Sequence, residues 1–158
     1  MANEDKKDFN AMMNNNKNMP KIQIVSGEKT IKNYGGNRMF FAPPIYYDNL
    51  MKKVPKGRVI TTTKLREHLA KENNADFTEP MTAGIFVTIC AWASYQRTDN
   101  ITPYWRTLKS GGELNAKYPG GIKAQIQMLE SEGHKIITKG NKNPRYFVEN
   151  YEDKMINL

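Results

Sequence analysis

Apolar residues recur at helical spacing through the middle of the chain, from Ile45 onwards. One such segment begins there and is ended by Pro55, and a second is the stretch TTTKLREHLAKE, where a threonine can cap the start. A third begins at Pro80, a residue that suits the first turn of a helix, and runs to about residue 96. A fourth follows two glycines and ends at Gly133. The pattern therefore predicts four helices.

Strand-like runs flank this helical region on both sides. The stretch KIQIV, residues 21–25, predicts a short strand. Near the C-terminus, HKIIT and RYFVE are separated by KGNKNP, which predicts a β-hairpin with a basic tip. The second and third helices resemble a helix-turn-helix. We therefore expect an α+β fold, a winged-helix-like helical domain with a helix-turn-helix and a small C-terminal β-hairpin.

These segments divide the chain into three parts. Residues 1–20 are rich in Asn and Lys and have no periodicity, which predicts a disordered lead-in. Residues 21–44 contain the first strand and an apolar run at 39–41, and we expect them to form an arm packed on the domain of residues 45–158. Since no apolar run approaches the roughly 20 residues of a membrane span, we expect a cytoplasmic protein.

Charge and composition narrow the chemistry. The 158 residues include 24 Lys and Arg against 16 Asp and Glu, a formal net charge of +8, which favours a polyanionic partner without identifying one. Cys90 is the single cysteine and two histidines are present, so we expect neither a disulfide nor a metal site, and no cofactor. Because Cys90 falls on the apolar side of the third helix, we interpret it as a buried structural thiol.

The segment TPYWRTLKSGGELNAKYPGG, residues 102–121, carries the densest candidate chemistry. It sets wide aromatic side chains beside glycines, which let a backbone turn sharply or approach a ligand closely. A core strand has no need of that combination. A pocket for a flat ligand uses both the aromatic side chains and the glycines, and we interpret the segment as such a pocket.

Three stretches resemble a known family. The stretch LMKKVPKGRVITTTKLREHLA, the segment ITPYWRTLKSGGELNAKYPGG and the stretch AQIQMLESEGHKI are similar to successive motifs of alkylguanine-DNA alkyltransferases and their alkyltransferase-like relatives. The resemblance covers residues 45–137, in the family's order and with nearly its spacing. It implies the DNA-binding domain of a DNA-repair protein.

The reactive centre of that family reads Pro-Cys-His-Arg, in which the cysteine is the nucleophile and a distal glutamate orients the histidine. Here the matching residues are Pro103, Tyr104, Trp105 and Arg106, with Glu132 as the glutamate. Pro103, Arg106 and Glu132 keep the pattern, and we expect structural roles for them. A phenol with a pKa of about 10 beside an indole supplies neither a thiolate nor a base. The resemblance thus implies a protein that is not an enzyme.

The alkyltransferase-like relatives keep a base-binding pocket without the cysteine. By resemblance, the pocket residues here are Tyr104, Trp105, Tyr118, Pro119 and Gly120. Tyr118 matches a tyrosine that lies beside the bound base, and an aromatic ring at Tyr104 can stack on a flipped base or a lesion. The alternative is that the Tyr104 ring fills the former pocket.

The resemblance and the charge pattern also give candidate DNA-binding residues, namely Thr62, Thr63, Gly84, Thr88, Lys142 and Arg145. Thr62 lies near the place of the tyrosine that rotates the target phosphate in the family, and Gly84 lies at the place of the arginine finger. Both family side chains are replaced by smaller ones. Lys142 and Arg145 lie at or near the hairpin tip, where we expect phosphate contacts.

The sequence therefore predicts an alkyltransferase-like protein that binds duplex DNA as a monomer. The candidate lesion in that DNA is an alkylated guanine. A repair protein would be a compatible further partner, and no membrane contact is expected. Two alternatives stay open. In one, a degenerate family member binds a small molecule or another protein through the aromatic pocket. The other, an active methylated-DNA-cysteine methyltransferase, is disfavoured by the missing cysteine.

Overall fold

Helices and short strands alternate along residues 7–158, the part of the chain that the computed structural model describes. The helices are α1 (Phe9–Met13), α2 (Glu28–Tyr34), α3 (Pro44–Met51), α4 (Thr62–Glu72), α5 (Pro80–Gln96), α6 (Gly121–Ser131) and α7 (Tyr151–Lys154). The strands are β1 (Lys21–Ile24), β2 (Arg38–Phe41), β3 (Ile60–Thr61), β4 (Phe77–Thr78), β5 (Thr107–Leu108), β6 (Ile136–Lys139) and β7 (Arg145–Val148). This content confirms the α+β class.

The four helices predicted from apolar spacing are α3 to α6, and local capping explains where two of them begin. The Thr61 hydroxyl accepts a hydrogen bond from the backbone N–H of Lys64 at 3.2 Å, which caps α4. The Glu79 carboxylate accepts the backbone N–H groups of Met81 and Thr82 at 2.8 Å each. A carboxylate in this place also interacts favourably with the positive end of the helix dipole of α5.

The strands belong to three separate small sheets. β2 pairs antiparallel with β1 and parallel with β4, so the N-terminal arm shares a sheet with the segment between α4 and α5. β3 and β5 pair in parallel, which places the start of α4 beside the segment that follows Arg106. β6 and β7 form the predicted antiparallel hairpin. Because β4 lies between α4 and α5, the connection of these helices is longer than a simple turn, and the winged-helix arrangement stays a prediction.

Helix α5 lies at the centre of the larger hydrophobic core. Its residues Ala83, Val87 and Cys90 are almost completely buried, and α1, α3 and α4 pack against it. A smaller core is formed by Val59, Leu108, Leu114, Leu129 and Val148. In the part of the chain that is described, no helix has the length and apolar character needed to cross a membrane.

The N-terminal segment is more ordered than its composition indicates. Inside the predicted disordered lead-in, α1 buries Phe9 and Met13 in the main core, and the Phe9 ring stacks on Trp92 with centroids 5.6 Å apart. The expectation of disorder over residues 1–20 is therefore wrong for Phe9–Met13. The physical reason is that two apolar side chains find a large apolar helix to pack against. Residues 1–6 lie outside the described residues.

The predicted arm, residues 21–44, contacts the rest of the chain unevenly. Phe40 of β2 is 2% exposed in the main core, whereas every residue of β1 is exposed. Helix α2 in the arm and helix α7 near the C-terminus were not predicted. Both are short, and neither buries a residue, so no apolar stripe marks them in the sequence.

Candidate nucleic-acid interface

The turn Tyr104–Arg106 is fixed to the end of α6 by Glu132. Trp105 Nε1 donates to Glu132 Oε2 at 3.1 Å, and Arg106 donates to the same carboxylate through Nε at 2.9 Å and Nη2 at 2.6 Å. Arg106 Nη1 also donates to the carbonyl of Val54 at 2.8 Å. The Glu132 carboxylate is thus engaged by two neighbouring side chains of one turn.

The charge of Glu132 is compensated locally. Burial alone would raise its pKa, but hydrogen bonds from Arg106 and Trp105, together with the guanidinium charge, hold the pKa of Glu132 below its ordinary value. The indole N–H of Trp105 donates but cannot accept a proton. This junction therefore holds a turn in place, and Trp105 cannot serve as a general base for a nucleophile.

Tyr104, Trp105 and Tyr118 form a packed aromatic cluster. Tyr104 meets the other two rings edge to face, with centroids 5.3 and 5.5 Å apart. Tyr104 is 4% exposed and Tyr118 2%, and the Tyr118 hydroxyl donates to the carbonyl of Thr107 at 2.8 Å, while the adjacent Pro119 is buried too. Burial raises the pKa of both phenols, so both are protonated at neutral pH. A flat ligand can enter between these rings only if Tyr104 turns outward.

Gly120 joins this cluster to α6. Its φ of 79° lies in the left-handed region, and a Cβ there would stand 2.5 Å from the Cβ of Ala124, so glycine is required. The buried Gln125 of α6 accepts the backbone N–H of Asn115 at 2.8 Å and donates to the carbonyl of Trp105 at 3.1 Å. Through these two bonds α6 holds the loop before it and the turn Tyr104–Arg106 together.

A groove of about 350 Å³, the first groove, runs between the start of α4, α5 and the loop of residues 109–117. It brings together four of the six predicted DNA-binding residues, Thr62, Thr63, Gly84 and Thr88. Three cationic residues that the sequence did not single out also line it, Arg66, Lys109 and Lys117. None of the described residues that line the groove is acidic. The arrangement suits an anionic ligand.

The floor of the first groove is open where α5 contributes Gly84. A Cβ at this position would meet no atom of the described residues within 4 Å, so another molecule can approach the helix backbone closely. The Thr88 hydroxyl donates to the carbonyl of Gly84 at 3.0 Å, and the Thr62 hydroxyl donates to that of Leu108 at 3.3 Å. Both hydroxyl oxygens keep lone pairs, but their protons are used inside the protein.

The cations of the first groove could be found from sequence only in part. Arg66 follows Thr62 by four residues on α4 and therefore lies on the same face, which helical spacing alone would have shown. Lys109 and Lys117 belong to a loop without periodicity. Their position depends on the pairing of β3 with β5, which no local pattern reveals.

The hairpin residues Lys142 and Arg145 lie outside the lining of the first groove. Arg145 donates to both carboxylate oxygens of Glu113, at 2.7 and 3.0 Å, and these bonds lower the pKa of Glu113. Lys142 is exposed in the loop between β6 and β7. The positive charge of Arg145 is thus compensated, and Lys142 is the better placed of the two for a phosphate.

Cys90 is a buried thiol, as the sequence predicts. Its Sγ–H donates to the carbonyl of Pro44 at 3.3 Å. Burial, and secondly the charge of Asp48, raise its pKa well above the ordinary value. The thiolate form is therefore disfavoured. Within residues 7–158, no three His, Cys, Asp or Glu side chains are grouped closely enough to hold a metal ion.

Comparison with known proteins places this arrangement in a fold class. No family model and no curated protein matches the sequence. The fold is similar to that of S. pombe ATL, solved in complex with DNA, at 19% identity and a TM-score of 0.50, covering 72% of this chain and 95% of that chain. A structure of S. pombe Atl1 with damaged DNA containing O6-carboxymethylguanine matches at 18% identity and a TM-score of 0.49, covering 72% and 94%. The chain thus shares its fold with S. pombe ATL over most of the length of that protein.

Proposed function

We propose that this protein binds duplex DNA through the first groove and α5, and does so without alkyl transfer. The observation that carries the proposal is the convergence of Thr62, Thr63, Gly84 and Thr88 with three cations in one groove, whose described lining contains no acidic residue. The similar fold of S. pombe ATL, a protein solved in complex with DNA, supports it. A basic surface formed by the first turns of α4 and the loop of residues 109–117 is suited to the phosphate backbone.

The charges give the proposal a measurable scale. Arg66, Lys109 and Lys117 line the first groove, and Lys142 lies at the hairpin tip. If these four side chains neutralise phosphates, the slope of log affinity against log salt is about −4. Lys109 also lies 3.6 Å from the Glu113 carboxylate, so its charge is partly compensated in the free protein, although the Lys109 side chain itself is 53% exposed.

We further propose that the lesion recognised is an alkylated guanine, admitted between Tyr104 and Tyr118. The aromatic cluster offers stacking surfaces worth about 1 to 3 kcal/mol per base. In the structure the Tyr104 ring closes this cluster, so recognition requires that Tyr104 turn outward. The same closure excludes a small molecule from the cluster as it excludes a base, so either ligand requires the same movement of Tyr104.

The absence of alkyl transfer is proposed from the chemistry of the same turn. Tyr104 is a phenol with a raised pKa, Trp105 cannot accept a proton, and the Cys90 thiol is buried. A thiolate nucleophile needs a neighbouring base or a positive field, and Cys90 has the opposite environment.

The test uses fluorescein-labelled duplexes that contain either guanine or an O6-alkylguanine at one position, titrated by anisotropy at low and high salt. We expect binding that weakens steeply with salt and favours the lesion. Arg66→Ala should weaken both duplexes alike, whereas Lys123→Ala on the exposed face of α6 is the matched control. Failure of the wild-type protein to bind at low salt would refute the DNA proposal, and equal affinity for both duplexes would refute lesion recognition.

A separate assay addresses transfer. The protein is incubated with duplex carrying a radiolabelled O6-alkyl group and then denatured, so that only covalent label stays with the chain. We expect no labelled protein. Label on Cys90, identified by peptide mapping, would show that the chain is an enzyme after all.

A further inference from the structure

A cavity of about 540 Å³, the arm pocket, lies between helix α2 of the N-terminal arm, helix α4 and the segment around β4. Its volume is in the range of small-ligand sites. Asn33 and Tyr34 supply the wall that belongs to the arm, and they lie outside residues 45–137, over which the family resemblance extends. The resemblance therefore assigns no role to the arm pocket.

Two stacked aromatic rings line the arm pocket. The rings of Tyr34 and Phe77 lie 15° from parallel, with centroids 4.5 Å apart. Phe77 is 7% exposed and anchors the stack in the protein, whereas Tyr34 is 39% exposed and keeps ring surface for a further flat group. An aromatic side chain in this position is suited to stack on a nucleobase, because every base has a π face.

Arg66 and Lys71 of α4 bring positive charge to the same cavity. Neither side chain forms an ion pair with another residue in the described part of the chain. The Arg66 guanidinium donates to the Thr63 hydroxyl at 3.4 Å, but a hydroxyl does not neutralise its charge. Both cations are therefore available to a phosphate group.

The two acidic side chains among the described lining residues already have partners. Glu67 lies 3.3 Å from the Lys64 ammonium, and Asp76 Oδ2 accepts the backbone N–H of Arg38 at 2.9 Å. The second oxygen of Asp76 keeps its capacity to accept a hydrogen bond. A base edge offers N–H groups to such an acceptor, whereas the ring of a phosphotyrosine offers none. The lining thus matches a base and a phosphate together.

The arm pocket adjoins the first groove, because Thr63 and Arg66 line both. A phosphate bound by Arg66 can therefore belong to a free nucleotide. It can equally belong to a DNA strand in the first groove whose neighbouring nucleotide is unpaired. Both sources present the same chemistry to the arm pocket.

We propose that the arm pocket is a nucleotide-binding site. The base stacks on Tyr34 and directs an N–H group to Asp76, and the phosphate contacts Arg66 and Lys71. This site goes beyond the proposed function, which concerns duplex DNA in the first groove.

The first part of the test titrates the full-length, ¹⁵N-labelled protein with adenosine 5′-monophosphate, adenosine and ribose 5-phosphate, and follows the chemical shifts of backbone amides. We expect the monophosphate to bind most tightly and to shift amides of α2, α4 and β4. Tyr34→Leu should weaken this binding about tenfold, because it removes the stacking surface. Lys71→Ala should weaken binding of the monophosphate and leave that of adenosine unchanged, because it removes a phosphate contact alone.

Each variant has a matched control. Tyr95→Leu is the control for Tyr34→Leu, because Tyr95 is 62% exposed, packs on the Trp92 ring and lies outside the lining of the arm pocket. Lys29→Ala is the control for Lys71→Ala, since Lys29 is an exposed residue of α2 outside that lining. Thermal unfolding of each variant verifies that the fold is kept.

The second part distinguishes the two sources by anisotropy. It compares a blunt duplex with the same duplex carrying one unpaired adenosine, or one abasic residue, at its 3′ or 5′ end. A gain in affinity that requires the base and is lost in Tyr34→Leu supports the arm pocket and assigns the nucleotide to a DNA strand. Tyr34-dependent binding of the monophosphate without any gain from the overhang supports a free nucleotide.

The outcomes for the arm pocket and for the proposed function are separate. If Tyr34→Leu behaves like Tyr95→Leu with both the monophosphate and the overhang, the nucleotide site is refuted, whether or not the blunt duplex binds. If the monophosphate binds as expected but the blunt duplex does not bind at low salt, the nucleotide site stands and the proposed function fails.

Discussion

Replacing Glu132 by glutamine should destabilise the protein strongly, because this carboxylate holds the turn Tyr104–Arg106 to α6. Its side chain is 6% exposed and that of Arg106 is 13% exposed, so the pair is largely removed from water. Glutamine keeps one acceptor oxygen for Trp105 or Arg106, but it leaves the guanidinium without a compensating charge. The hydrogen bond from Arg106 to the Val54 carbonyl remains, but a neutral carbonyl does not compensate the guanidinium charge.

The size of the loss follows from the burial of the pair. Removing one partner of a buried ion pair costs about 3 to 5 kcal/mol, and the acceptor that glutamine retains places the expected loss at about 2 to 3 kcal/mol. For a protein of this length, such a loss lowers Tm by about 5 to 10 °C. Urea unfolding followed by circular dichroism measures the free energy of unfolding directly.

The pH dependence supplies a second readout. The pKa of Glu132 is depressed in the folded state relative to about 4.3 in the unfolded chain. Its contribution to stability is therefore fully present above about pH 4.3 and is lost as the pH falls through the folded-state pKa. The difference in unfolding free energy between wild type and Glu132→Gln should shrink over that acidic range and stay constant above it.

Glu113→Gln is the matched control, because Glu113 also accepts two hydrogen bonds from one arginine. The Glu113 side chain is 12% exposed, but its partner Arg145 is 63% exposed, so water compensates the guanidinium and this substitution should cost less stability than Glu132→Gln. Equal losses in the two variants would contradict the reasoning from burial. So would a Glu132→Gln protein with the stability of wild type at pH 7.

Three further outcomes follow from buried or strained residues. The Cys90 thiol should fail to react with a chromogenic thiol reagent in the native protein and should react completely in denaturant. The absorbance of the released chromophore measures the reaction, and a rapid reaction of the native protein would contradict the burial of the thiol. Burial lowers the pKa of His134, whose ring nitrogens have no hydrogen-bond partner among residues 7–158, so stability should fall below about pH 6.5. His134→Gln should remove that part of the decline in urea unfolding. Gly120→Ala should lower Tm more than Gly35→Ala. Both positions have positive φ, but the added methyl group collides with the Ala124 methyl group at Gly120 and with no described residue at Gly35.

Helix α5 was predictable from sequence because its determinants are local. Pro80 suits the first turn, the apolar spacing is helical, and a polar connector follows Gln96. Helix α1 was not predictable from sequence, because its order depends on contacts with α5, more than eighty residues away along the chain. A five-residue helix has no stability of its own.

The candidate site likewise contains residues that the sequence predicts and residues that only the structure reveals. The sequence supplied Thr62 and Gly84 by resemblance and Thr63 and Thr88 from their places on the helices, and the structure brings these four into one groove. It did not supply Lys109 and Lys117, which reach the groove through the path of an irregular loop, or the closure of the aromatic cluster by Tyr104. Closure depends on side-chain packing among residues up to fourteen positions apart, and a one-dimensional motif does not contain it.

The attachment of α1 has a consequence for the order of folding. Its contacts join residues separated by more than eighty positions, so α1 can dock only after α5 has formed, late in folding. Because α1 has five residues, it also detaches more readily than the core, as a local opening that leaves α3 to α6 intact. Its backbone amides should therefore exchange with solvent earlier than those of α5. The groove between α1 and α5 exists only while α1 stays docked.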